Sequence, residues 1–189
     1  MFQSVRRWLE ERTLRQRATA YVAALLREPD DADVRWLAGL TGGDDDHARW
    51  ELRYARRVLG YHVAGRDALD DRTASVVAEA LTRSWRRDPN VAADKHVVVE
   101  RQLNARLRGY ADAMSLRGAG EPTSLRLARV LLSFAGARHP GDPAALARAG
   151  ELLATYLADA HEGLRDAFGA AALPDDVAPS ALAARAPRA

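Results

Sequence analysis

The residues of this chain best able to do chemistry stand in two matched positions. Asp45-Asp46-His47-Ala48-Arg49-Trp50-Glu51 runs on to Arg57, Gly60 and Tyr61. Shifted by 49 residues, Asp94-Lys95-His96-Val97-Val98-Val99-Glu100 runs on to Arg106, Gly109 and Tyr110. The shared frame is D-x-H-x-x-x-E-x5-R-x-x-G-Y. The chain holds only five His and five Tyr, and one of each falls in register in both copies. On a helix, His and Glu four apart share one face, one turn above the other. His47, Glu51, His96 and Glu100 are therefore the candidate metal ligands. A pseudo-twofold relation between two such helices would gather two imidazoles and two carboxylates, a donor set that suits Fe, Mn or Zn. Asp45, Asp94 and Asp159-Ala160-His161-Glu162 are available as further ligands or as partners that orient them.

Two readings compete with a metal site. His and Glu at i,i+4 also form an ordinary surface pair, and Tyr61 and Tyr110 suit the ends of core helices, with their hydroxyls reaching a polar partner. The usual di-iron bundle carries Glu-x-x-His, a spacing this chain lacks. Asp44-Asp45-Asp46 has Ala48 where a diphosphate-binding Mg²⁺ motif needs an acid, so it reads as the start of a helix. Gly42-Gly43 lacks the spacing and the Lys of a phosphate loop. No G-x-S-x-G elbow occurs.

The elements that must position these residues are all helical. Among 189 residues there are 39 Ala and 24 Leu but no Ile, a composition that favours helix over sheet. The basic residues are 27 Arg and one Lys. With the missing Ile, this suggests the codon bias of a GC-rich, bacterial genome. The net charge is +2; a pI near 9.3 follows because little titrates between His and Tyr. Without Cys, disulfides, thiol catalysis and Cys-based zinc sites are excluded. Apolar runs fall short of the roughly 20 residues of a membrane span. Met1 to Gln16 has no apolar core of a secretory signal, so a cytoplasmic location is expected.

Periodicity and breakers predict six helices, or seven with a short second one. The first runs from Ser4, as N-cap, to Arg27. The others cover about 31–40, 44–62, 70–87, 92–116, 123–137 and 143–168. Short connections favour antiparallel neighbours in a bundle. The expected fold is an all-α antiparallel bundle over residues 1–169, containing a two-copy helical-hairpin repeat if the frame is a true duplication. Residues 170–189 read as a flexible Ala/Pro-rich tail.

Charge is segregated. Glu28 to Asp46 holds seven acids against Arg35, between Arg-rich flanks. Arg49, Arg53, Arg56 and Arg57, beside Trp50 and Tyr54, resemble a nucleic-acid stripe, but the adjacent acidic run argues against that partner. The lead expectation is a non-catalytic helical interaction or assembly module, with a protein partner or a second copy. The alternatives are a metal-binding bundle, as an oxidoreductase or carrier, and a peripheral membrane protein. The last would use the amphipathic first helix, with Phe2, Val5, Trp8 and Leu9 among its Arg residues.

Overall fold

The computed structural model describes residues 2–68, 70–115 and 120–169, with side chains from Val5 onward. The Ala/Pro-rich segment 170–189 lies outside the described residues. Seven α-helices and one 3₁₀ turn pack together, and the described residues contain no strand. They are α1 (Phe2–Leu25), α2 (Asp31–Thr41), α3 (Asp45–Asp67), α4 (Asp71–Arg86), α5 (His96–Ser115), α6 (Thr123–Ala135) and α7 (Pro143–Phe168). The 3₁₀ turn, Ala93–Lys95, leads into α5.

Local chemistry sets most boundaries. Asp30, Asp44, Asp70 and Asp142 each accept a backbone N–H at the start of α2, α3, α4 and α7, satisfying donors that a helix start leaves orphaned. Gly42 and Gly136 close α2 and α6 in the left-handed conformation, which glycine adopts without a side-chain clash. Two expectations need correction. Ser4 lies inside α1 rather than capping it, because the helix already runs from Phe2. Helix α3 also continues past His62 to Asp67. Val63 and Ala64 are buried in the core, so tertiary packing carries the helix on through Gly65.

Helix α3 is the hub. It packs against α2, α4, α5, α6 and α7, and touches α1. Two apolar clusters meet along it. One joins α2, α3, α5, α6 and α7 through Leu37, Leu52, Leu131 and Leu153. The other joins α1, α3, α4 and α7 through Tyr21, Tyr54, Val77 and Leu164. Leu103 and Leu157 pack against both.

Two glycines of α3 show how burial decides the effect of one substitution. A Cβ on Gly60 would sit 2.4 Å from both methyl carbons of Leu25, itself buried. The Gly60 carbonyl also accepts the Tyr21 hydroxyl at 2.8 Å. A Cβ on Gly65 meets nothing within 4 Å. Gly65→Ala is expected to stabilise the protein by about 0.5–1 kcal/mol through helix propensity. Gly60→Ala is expected to destabilise it by about 1–2 kcal/mol net, because overpacking outweighs that gain. Urea denaturation of both variants checks the opposite signs.

Candidate functional site

The first copy of the frame opens α3. The Asp44 carboxylate accepts the His47 backbone N–H at 2.9 Å, leaving the imidazole half-buried at the helix start. One turn on, Glu51 is 2 % exposed. Its carboxylate accepts Arg106 Nε at 3.1 Å and also Arg106 Nη2. Burial pushes the Glu51 carboxyl up, against the pull of Arg106 and His47. The second copy straddles an element boundary: Asp94 lies in the 3₁₀ turn, and His96 is the first residue of α5. Glu100 is exposed.

The two copies are thus unequal. The Glu of the first is buried in an ion pair, and that of the second faces solvent. Tyr61 is 37 % exposed, whereas Tyr110 is 1 % exposed. The frame arginines are interior residues with different partners. Arg106 takes Glu51 across 55 residues of sequence. Arg57 takes Asp88, with Nη2 donating to Oδ2 at 2.9 Å. A symmetric pair of hairpins would have matched Arg57 with Glu100. The frame glycines do share a role. A Cβ on Gly109 would lie 2.9 Å from Phe134, as one on Gly60 meets Leu25, so both mark close approach of another helix. Among the described residues no three or more His, Asp or Glu side chains are grouped so as to hold a metal ion. His161 Nδ1 lies 3.0 Å from Asp67, and Asp159 lies 3.8 Å from Arg56.

Around these ion pairs lies an aromatic layer that periodicity did not reveal. Tyr54 stacks on Trp85 at 5.3 Å between ring centroids. The Arg57 guanidinium sits 4.1 Å from the Trp85 ring, and the Arg106 guanidinium 5.0 Å from the Tyr54 ring. Such contacts favour a cation on a desolvated ring face. The Tyr54 hydroxyl donates to Gln102 Oε1 at 2.9 Å, and burial pushes its pKa up to about 12. Burial also raises the Asp88 carboxyl, but the Asn90 backbone N–H and Arg57 outweigh it and hold the group low. The sequence hints of this layer were the frame's own Arg, six residues beyond each Glu, and the Arg stripe of α3 beside Trp50 and Tyr54.

The basic stripe of α3 is internally matched. Arg49 pairs with Asp31 at 2.9 Å, and Arg53 with Glu28 at 2.8 Å. Part of the acidic run therefore lies against the Arg side chains that follow it in sequence.

The main concavity involving the frame is a groove of about 360 Å³ between α4 and α5, with Tyr61 of α3 at its edge. It takes in His96 and Glu100 but neither His47 nor Glu51. Helices α4 and α5 each pack on α3 yet scarcely touch one another. One wall presents Ala78, Leu81 and Trp85, and the other Val99, Leu103 and Leu107. Both sets recur at helical spacing, so each wall is an apolar stripe. Thr82, Arg86, His96, Glu100 and Asn104 supply the polar rim. Within the groove His62 Nε2 does not project; it contacts the Leu107 carbonyl at 3.1 Å, and burial lowers its pKa despite that bond.

Fold and groove define an all-α bundle, with seven helices among the described residues and an apolar cleft on one side of its hub helix. Comparison with known proteins gives no match: no family model, no curated protein and no solved structure is similar to this chain. No described helix is long and apolar enough to cross a membrane.

Proposed function

We propose that this protein is a non-catalytic helical interaction module, and that the α4–α5 groove receives an amphipathic helix of a partner protein. The observation that carries this reading is the separation of α4 and α5. Both helices rest on α3 and line the groove with apolar side chains; Leu81 and Trp85 form its buried floor, Val99 and Leu103 pack against their cluster, and Ala78 and Leu107 stay partly exposed. From His96 to Leu107 the longer wall extends for about 16 Å at the helical rise, room for roughly three turns of a third helix. Helix-in-groove recognition reads anchors at i, i+3, i+4 and i+7 of the incoming helix, and the walls match that spacing. The rim carries both signs of charge, with Arg86 opposite Glu100. Hydrogen-bonding groups there would set the direction and register of the partner, while the apolar floor supplies affinity.

A synthetic amphipathic peptide with Leu at those spacings and mixed Lys and Glu elsewhere tests the groove. Amide shift changes on titration are expected to map to α4, α5 and the Tyr61 turn of α3. Thr82→Arg with Asn104→Arg, both at exposed rim positions, should weaken binding at least roughly tenfold by filling the gap, about 1.4 kcal/mol. Shifts spread over other helices, or binding indifferent to the double variant, would remove the groove as the site.

A further inference from the structure

Helix α1 carries two apolar stripes that face opposite ways. Leu14, Ala18, Tyr21, Val22 and Leu25 point into the body, all buried except the half-buried Leu14. Val5, Trp8 and Leu9 are 54, 58 and 51 % exposed. At 100° per residue this second stripe lies roughly half a turn around the helix from the first. It gathers three large apolar side chains at i, i+3 and i+4, with Val5 and Trp8 on the outer side and Leu9 at the edge, where it borders Leu14 and Arg72. Single exposed apolar residues are ordinary, but a contiguous group marks a contact surface.

The charge around the stripe indicates what covers it. Between Arg6 and Arg17 there are five Arg and two Glu. Glu10 is paired with Arg6, and Glu11 with Arg15 and Arg72. At 100° per residue Arg12, which has no carboxylate partner among the described residues, lies within the stripe, Arg15 borders it, Arg6 and Arg17 lie further round, and Arg7 lies on the opposite side. The Arg12 guanidinium lies 5.5 Å from the Trp8 ring, so its aliphatic stem runs over the stripe. A self-complementary dimer through α1 would bring this Arg-rich face against its own copy, which like charge opposes. An anionic surface has the complementary sign. The stripe is also shallow: it suits the 5–10 Å depth of the headgroup boundary, where Trp and Arg stems are at home.

We infer that the outward face of the first half of α1 docks on an anionic lipid membrane, with Trp8, Val5 and Leu9 inserted and Arg12 and Arg15 at the phosphate level. This surface is separate from the α4–α5 groove, and the inference does not rest on the groove's function. Sedimentation of the full chain with phosphatidylcholine vesicles, with and without phosphatidylserine, tests it. Leaving out Arg7, two excess positive charges remain, which correspond to a preference on the order of thirtyfold for the anionic vesicles. Added salt should erode that preference. Trp8→Ser with Leu9→Ser, both exposed, should keep the wild-type helical signal and melting temperature and lose binding. Thr82→Arg with Asn104→Arg should bind vesicles as the wild type does. Equal binding to both vesicle types, no binding, or binding unchanged by the Trp8/Leu9 variant overturns the inference. So does a concentration-dependent dimer that the Trp8/Leu9 variant disrupts, if it occurs without vesicle binding.

Discussion

Glu51→Ala is expected to destabilise the protein by about 3–5 kcal/mol, measured by urea denaturation near neutral pH. Arg106 is the reason. Arg106 is 8 % exposed, and among the described residues its one carboxylate partner is Glu51. Its other contacts are the Gln102 carbonyl at 3.2 Å and the ring faces of Tyr54 and Phe134. Those contacts orient the group without neutralising it. Removing the carboxylate therefore leaves a buried cation, a far larger cost than the net worth of the pair.

The reverse deletion behaves differently with pH. Without Arg106, the Glu51 carboxyl, already raised by burial, rises further. Its folded-state pKa then lies above its unfolded value. Protonation relieves the buried charge at low pH, and the stability is lost as pH rises through the folded-state value. Arg106→Met should thus be most damaging well above the ordinary carboxylate range, and its deficit should shrink on acidification. Glu51→Leu with Arg106→Met together should cost less than either single change, because no lone charge remains. A Glu51→Ala loss below about 1 kcal/mol, the scale of an exposed pair, would mean that Arg106 escapes to solvent.

Leu132→Ala is expected to cost about 2–5 kcal/mol. Leu132 is 0 % exposed on α6, within the cluster that joins α2, α3, α5, α6 and α7. Its neighbours in the cluster are mostly buried helical side chains, so the transfer loss and most of the cavity remain. The second cluster, under α1 and α4, does not contain Leu132, but α3, Leu103 and Leu157 bridge the two. The lost stability should therefore appear in a single transition. Hydrogen exchange of α1 should accelerate along with that of α6. A variant in which α6 opens while α1 keeps wild-type protection would show two independent cooperative units.

Helix positions were largely legible because their causes are local. Asp30, Asp44, Asp70 and Asp142 signal helix starts through their own side chains, and Gly42 and Gly136 signal ends through their backbone freedom. The failures were also informative. The first helix was expected from Ser4, yet it extends to Phe2. The third was expected to stop at about His62, but the packing of Val63 and Ala64 carried α3 onward to Asp67. The His-Glu frame was visible as a pattern, but its geometry was not. The pattern could not tell that Glu51 would face an arginine while Glu100 faced solvent. A repeat of residue types requires neither equal burial nor equal partners.

The sequence by itself determined an all-α chain, the approximate placing of the described helices, and the apolar and charged stripes along them. Those properties arise from residues three or four apart, which meet whatever the rest of the chain does. Only the tertiary structure decided which stripes would be covered. It set Arg106 against Glu51 and Arg57 against Asp88, rested α4 and α5 on α3 with few close approaches to each other, and left Val5, Trp8 and Leu9 exposed. Each outcome depends on how a helix is rotated about its axis against a neighbour distant in sequence. That rotation is fixed by the summed packing of many side chains, and no short pattern within one helix records it.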